Sequence, residues 1–405
     1  MQKSRVYTII AIVLSLFMIG NAIIVLPIVC SASSSEYTSA TTWTISTIDS
    51  EKLAGEYTSI TTDSANGIHI SYSSYYNSYL KYIYKPVGGS WYTPVIAATD
   101  ATYNSIVVDN AIGVHIAYSE DYPYNLRYAY KPYAGSWTTT SLSDQGLYIS
   151  LVIDSAEGLH ISYYRQSDGD LKYAYKPYSG SWTKTIVDST GDVGSYSSIA
   201  IDSANGVHIS YADSPSSYLK YAYKPSGGSW TTTTVDPMGS VGLHTSIAID
   251  NANGIHIAHY DNINSDLKYA YKPSGGSWTI TTVDSIANVG QYISIKTDSL
   301  DGVHMSYYDA TNGDLKYAYK PSGGSWTITT VDSTNDVVGY YTSLTIDSLG
   351  YLHISYFDAT NLHLKYAESV QSVPELSLIV IQMVTVVALF VIFRKSKKKL
   401  PMGSF

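Results

Sequence analysis

The chain has 405 residues and a formal charge of -9, with 14% charged residues, 13% aromatic residues and 41 tyrosines, a balance that excludes a disordered polyampholyte. A single cysteine, Cys30, excludes a disulfide scaffold and any cysteine-based zinc site. Seven basic residues lie at the ends (Lys3, Arg5, Arg394, Lys395, Lys397, Lys398 and Lys399), leaving 17 basic against 33 acidic residues between them, a net of -16 that would repel phosphate backbones and argues against a nucleic-acid partner.

In chain order, Lys3 and Arg5 precede an apolar run from Tyr7 to Val29, followed by Cys30-Ser31-Ala32. A basic start, an apolar stretch and a small-x-Ala ending predict a secretory signal peptide over 1–32, or an uncleaved anchor given the length of the run. A short linker, 33–42, follows. At the other end, a linker over 368–375 leads into a second apolar run, 376–393, whose 18 residues would span about 27 Å as a helix. The basic tail 394–405 directly after it predicts a cytoplasmic end, so the body faces outward on the cell surface. Pro374-Glu375, an apolar segment and a basic cluster together resemble the archaeal PEF-type C-terminal sorting signals, with Leu376 where that family has Phe. The resemblance implies cleavage near the motif and transfer to a lipid; either route leaves a surface-anchored protein.

Between these ends lies a repeat. Trp43, Trp91, Trp137, Trp182, Trp230, Trp278 and Trp326 recur at spacings of 48, 46, 45, 48, 48 and 48 residues, each opening a Thr-rich or β-branched run. His69, His115, His160, His208, His256, His304 and His353 recur in step, and an Asp stands six residues before each. The unit around His208 reads as four short alternating strands: Ser198–Asp202, Val207–Tyr211, Leu219–Lys224 and Trp230–Val235, with Gly, Asn and Pro turns between them. Seven such units over 43–367 predict an all-β fold, a seven-bladed β-propeller with four antiparallel strands per blade. The first unit begins at its Trp strand and the last ends just before one. The Trp43 strand is therefore expected to complete the last blade, closing the ring and removing exposed edges. A single closed propeller of this kind is expected to be monomeric.

The hairpin before each Trp, as in Tyr223-Lys-Pro-Ser-Gly-Gly-Ser-Trp230, resembles the Asp-box of sialidase-type BNR-repeat propellers. The Gly and the Ser-Trp match. Pro225, Pro273 and Pro321 stand where that family has Asp, and Tyr replaces its first Ser. The resemblance implies the propeller fold; it does not carry an activity.

Each recurring residue has a structural and a functional reading. The seven His sit on different blades, too far apart for one metal, so a hydrogen bond from each His to its own Asp is expected. The Trp side chains suit packing between blades better than a sugar platform. The loops after the second strands and those between blades fall on one face, because strands alternate in direction. That face carries Asp213, His244, Tyr260, Asp261, Tyr292, Tyr308, Asp309, Tyr340, Phe357 and Asp358, the candidate ligand-binding set. Aromatic faces beside planar polar groups suit glycans or another surface ligand, while an ordinary solvated rim accounts for the same residues. The Asp and Asn oxygens there are of the kind that holds Ca²⁺, but their spacing is not an EF-hand, so turn chemistry is expected and no cofactor.

No catalytic set is visible. Sialidases of this architecture resemble one another in a three-Arg clamp, and residues 33–373 contain only Arg127 and Arg165. The residues that break the repeat, Glu120, Arg165, His244, His259 and His363, form no recognisable motif. The expected function is a surface-anchored binding or adhesion propeller without catalysis. The alternatives are a polysaccharide hydrolase or lyase with two carboxylates about 5–9 Å apart, and a structural envelope protein.

Overall fold

The computed structural model describes residues 10–19, 22–31, 41–214, 216–334 and 336–370, and the chain divides into two compact units, one of them residues 42–373. In the other unit, the apolar segment read as a signal peptide forms an antiparallel hairpin, Ile10–Ile19 with Ala22–Ser31. Lys3 and Arg5, most of the 33–42 linker, the Pro374-Glu375 motif, the 376–393 span and the basic tail lie outside the described residues. Among the described residues no helix is long and apolar enough to cross a membrane.

Residues 42–370 form a seven-bladed propeller of four-stranded antiparallel sheets. Blades 1 to 6 span 54–99, 101–145, 147–188, 192–236, 243–284 and 289–332. Blade 7 combines 338–370 with the early strand Thr42–Asp49. That strand pairs antiparallel with His363–Val370, from Thr42 opposite Val370 to Asp49 opposite Leu364. The innermost strands touch in sequence around the ring, and that of blade 7 returns to that of blade 1.

Alternation within the repeat explains the blades. In Val207–Ser214 of blade 4, flanked by strands on both sides, six residues from Val207 to Ala212 are buried on both faces. The outermost strand, Thr231–Asp236, is exposed over its four threonines and buried only at its end, which suits β-branched residues on a half-solvated edge.

The seams between blades are sequence-encoded at four levels. Each Trp packs edge-on against a Tyr of the preceding blade, at centroid distances of 4.9–5.3 Å in all seven seams; Trp43 on Tyr317 and Trp91 on Tyr366 close the circle. A Ser on each innermost strand accepts a backbone N–H from the next blade at 3.0–3.3 Å, as Ser198 does from Ile247 and Ser343 from Ile60. These bonds satisfy the sheet edges that face the axis.

At the third level, the last Asp of an outermost strand crosses to the next blade. Asp188 accepts from Tyr211 Oη at 2.7 Å and Lys220 Nζ at 2.5 Å, all three side chains being buried. Asp49, Asp144, Asp284 and Asp332 make the same pair of bonds at 2.5–3.0 Å. Asp236 meets His259 in place of Tyr, at 3.5 Å. Burial pushes the Asp188 carboxyl up, but Lys220 and Tyr211 outweigh it and hold it below the usual carboxylate range. Blade 1 ends its outermost strand at Thr99 and has no such Asp, so Arg127 of blade 2 pairs instead with Glu120 of its own blade.

At the fourth level, five seams join a hydroxyl of the second strand to a polar residue of the next innermost strand. The pairs are Ser71 with Asn104, Ser162 with Ser197, Ser210 with Thr245, Ser306 with Thr342, and Ser355 with Thr58. In the other two seams both partners become apolar together: Ala117 packs in one cluster with Ile149, and Ala258 with Ile293. A lone buried hydroxyl costs more than a matched pair of either kind, which accounts for the joint change.

Candidate functional site

The seven repeated His are structural centres. Each Nδ1 lies 2.6–2.7 Å from a Tyr hydroxyl of the third strand, 13 residues on. Six Nε2 atoms lie 2.9–3.0 Å from the Asp of the preceding turn, and His353 lies 3.5 Å from Asp347. The same Asp also accepts backbone N–H groups of its turn, as Asp202 does from Ala204 and Gly206. Burial holds His115, His160, His208, His256 and His353 below the usual imidazole range. The sequence pattern pointed to Asp and His; the Tyr was overlooked, although Tyr-Ala-Tyr or Tyr-Ile-Tyr recurs at fixed distance from six of the seven His.

A second seven-fold set of aromatic residues converges on the axis. Tyr57, Tyr103, Tyr148, Tyr196, His244, Tyr292 and Tyr341, one from each innermost strand, form a closed collar. Adjacent rings lie 4.4–5.4 Å apart all the way round. Every member is half-buried. The phenols of Tyr57, Tyr103 and Tyr341, and those of Tyr148 and Tyr196, act on one another electrostatically. The collar encloses a cavity of about 330 Å³, within the range of small-ligand sites. Its floor is the next residue of each strand, including Thr58, Asn104, Ser197 and Thr245, already fixed by the hydroxyl pairs between blades.

The backbone that presents the collar is strained. Six of the seven residues have φ between 50° and 55°, the left-handed region that bulky side chains avoid. Each sits at a register shift in the pairing with the second strand, so a bulge turns its side chain into the opening. Gly prepares the bulge two residues earlier. Gly290 has φ 101°, and a Cβ there would lie 2.8 Å from Leu267 Cα, so no other residue fits without a shift. Blade 2 has Ala101 in that position, and its Tyr103 is the one member with an unstrained φ. Residues of this kind held against their preference cost about 1–3 kcal/mol each and persist where the surroundings impose them, commonly at ligand sites.

The electrostatics are those of a neutral, electron-rich ring. Burial holds the imidazole of His244 down at about 4, so it is uncharged at neutral pH. Burial raises the phenols of Tyr57, Tyr103, Tyr148, Tyr292 and Tyr341, so they stay protonated. Glu56, next to the collar, acts on Tyr57 and Tyr341, and burial raises its own carboxyl. Among the described residues no lysine or arginine lines the cavity.

Of the sequence-predicted ligand residues, His244 and Tyr292 belong to the collar. Tyr340, Tyr308, Tyr260 and Phe357 stand behind it, at 5.1 Å from Tyr292, 4.4 Å from Tyr340, 6.3 Å from His244 and 6.4 Å from Tyr341. Tyr260, Tyr308 and Phe357 are buried, so they support the collar and do not present a surface.

The expectation for Asp261, Asp309 and Asp358 is corrected. Each is buried, and each closes its own turn. Asp309 accepts from the Thr311 and Asn312 backbone N–H groups and from Asn312 Nδ2; Asp261 and Asp358 do the same with Asn264 and Asn361. These carboxylates are spent on Asx-type turns. Asp213 is half-buried, and its carboxyl is raised by burial and then by Asp188 and Asp192.

Tyr57, Tyr103, Tyr148, Tyr196 and Tyr341 were not anticipated. Their signal is Gly-x-Tyr or Gly-x-His, with Ala-x-Tyr in blade 2, at the same 46, 45, 48, 48, 48 and 49 spacing as the repeated His, just before the alternating stretch of each innermost strand. Among the described residues no group of three or more His, Cys, Asp or Glu is placed to hold a metal ion.

No family model matches this chain, and no curated protein matches it. Solved structures do. AofleA from Arthrobotrys oligospora is similar at a TM-score of 0.52 and 14% identity, covering 75% of this chain and 93% of that one. The Aleuria aurantia lectin, in complex with Fucα1-6GlcNAc, is similar at 0.50 and 13%, covering 71% and 98%. The polysaccharide lyase Uly1 is similar at 0.52 and 11%, covering 77% and 89%. At such identities the likeness is one of fold.

Proposed function

We propose that this propeller is a carbohydrate-binding module of the cell surface, with the axial collar at the centre of its ligand site and no catalytic role. The observation that supports this most is the collar itself: seven aromatic rings around one cavity, six of them held on strained backbone. Flat rings and hydroxyls around an open cavity suit the apolar faces and hydroxyl edges of sugars. The lectin with a similar propeller was solved with a fucosylated disaccharide. Binding is favoured over catalysis because four of the rim carboxylates already have partners: Asp261, Asp309 and Asp358 in turns, and Glu120 on Arg127. The basic, apolar and sorting-like segments at the two ends support attachment at the outer face of a membrane.

A glycan array probed with the purified full chain tests the reading. Retention on a defined glycan class, abolished by Tyr196→Ala with Tyr292→Ala, is expected. Silence on every glycan from a folded sample contradicts it.

A further inference from the structure

Blade 1 departs from the repeat in register. In blades 2 to 6 the residue after the Trp is a Thr that opens the outermost strand and donates its hydroxyl to the carbonyl of a third-strand Tyr at 3.1–3.2 Å. In blades 2 to 7 the third residue after the Trp stands opposite the Tyr that bonds the repeated His, as Thr140 does opposite Tyr128 and Ser46 opposite Tyr366. Blade 1 carries one residue more. Tyr92 follows Trp91, the strand does not begin until Val95, and Val95, the fourth residue, stands opposite Tyr82. Pro94, which has no N–H to give to a ladder, lies in that extra length of chain.

A cavity of about 460 Å³ opens beside this bulge, larger than that of the collar and within the range of small-ligand sites. Blade 1 lines it with Tyr84, Tyr92 and Val95, and blade 2 with Val114, Lys131 and Tyr133, none of which belongs to the collar. Tyr92 and Tyr133 are 61% and 69% exposed, so both rings are open to solvent. Tyr133 stands where blades 4 to 6 have Ser226, Ser274 and Ser322, so the wall combines two departures from the repeat.

The wall is largely apolar and carries one cation. Lys131 is the only lysine or arginine among the lining residues, and no Asp or Glu is among them. Its ammonium donates to the Tyr133 carbonyl at 3.3 Å, and among the described residues no carboxylate lies within ion-pairing distance of it. Asp63, which acts on the Tyr84 phenol, is buried; it already accepts from the Ala65 and Gly67 N–H groups and lies 3.0 Å from His69 Nε2. Tyr92 and Tyr133 also act on Tyr84, so three phenol hydroxyls gather at one cavity.

We propose that this cavity is a second ligand site, independent of the collar, and that it takes a small aromatic carboxylate. The carboxylate meets the Lys131 ammonium and phenol O–H donors. The ring is buried among tyrosine rings, Val95 and Val114, where aromatic pairs gain more than the area they cover. A sugar would bury hydroxyls against the two valines without partners. A dianion would bring a second charge, with no second cation to meet it, into a body of net -16.

Calorimetry on the full chain at matched ionic strength, with phenylacetate, phenylacetamide and acetate as probes, tests the site. Phenylacetate is expected to bind, phenylacetamide to bind at least about fivefold more weakly, and acetate not to bind measurably. Lys131→Met is expected to remove the preference for the acid over the amide. Two wall variants are each expected to weaken phenylacetate at least about tenfold, with melting curves confirming the fold. One is Tyr133→Ser, which copies the later blades at an exposed position; the other deletes Pro94 with Tyr92→Thr, which restores the common register. Should the deletion fail to fold, Tyr133→Ser carries the test alone.

Equal binding of acid and amide overturns the inference, as does phenylacetate binding that Tyr133→Ser leaves unchanged. Phenylacetate binding lost in Tyr196→Ala with Tyr292→Ala but kept in Tyr133→Ser places the probe in the collar and overturns it too. A chain that binds none of the three probes contradicts it, whatever the glycan array shows, and a silent array with phenylacetate bound at this wall contradicts the carbohydrate reading alone.

Discussion

The belt of Asp-His-Tyr triads and the axial collar are both seven-fold and both aromatic, yet they differ in every physical respect. In the belt each His lies between two partners at hydrogen-bonding distance in six blades, and the repeated His are buried. In the collar the rings touch one another, remain half-exposed, and in six blades sit on a left-handed backbone. Satisfied and unstrained groups are what stability requires; half-open and strained ones are what a ligand site tolerates. The repeat thus carries two layers of conserved geometry within one molecule, and only one of them reads as function.

The largest effect expected in the belt is a loss of stability in acid. The folded-state pKa values of the buried imidazoles are lowered, so below about 6.5 the unfolded chain binds protons that the folded chain refuses, and stability falls with pH. His244 continues the loss down to about 4. Thermal unfolding at pH 7.5 and pH 5 should show a clearly lower midpoint at pH 5; an unchanged midpoint contradicts the burial argument.

Next comes the clamp between blades. Asp188→Ala strands Lys220 and Tyr211 in a dry seam and is expected to cost about 3–5 kcal/mol in denaturant unfolding. Tyr221→Phe removes the hydroxyl from His208 Nδ1 and should cost about 1–3 kcal/mol. Ser210→Ala leaves the Thr245 hydroxyl without its partner and should cost about 1–2 kcal/mol. Adding Thr245→Ile reproduces the Ala258 and Ile293 pairing of a neighbouring seam and should recover most of that loss.

The smallest stability effect is expected in the collar. Tyr196→Asn loses ring contacts at 4.6 and 4.7 Å but places a residue that tolerates φ 55°. Strain relief and lost contact are of similar size, so stability should change by no more than about 1 kcal/mol while ligand binding falls sharply.

Most of the fold was legible because period and phase are properties of the sequence itself. The Trp and His spacings count the blades, and the unpaired Trp43 strand foretells the closure seen between Thr42–Asp49 and His363–Val370. The collar was hidden because a bulge breaks the two-residue alternation on which strand reading depends. Tyr292 and His244 were therefore assigned to loops, whereas they lie within Val289–Thr297 and Leu243–Ile249. Asp261, Asp309 and Asp358 misled in the opposite direction: an Asp that closes a turn and an Asp that faces a ligand have the same local sequence, and only burial separates them. The Tyr-Asp-Lys clamps were missed because the Asp lies 19–33 residues from its partners, on a different blade.

The central claim is that the collar serves a ligand and the belt serves the fold. Glycan-array binding and melting temperature, measured together on the full chain for Tyr196→Asn with Tyr292→Asn and for Tyr221→Phe, test it most directly. The collar variant should lose binding and keep its melting temperature, and the belt variant should keep binding at a lowered melting temperature. The reverse pattern, or a collar variant that binds as the parent does, would contradict the account.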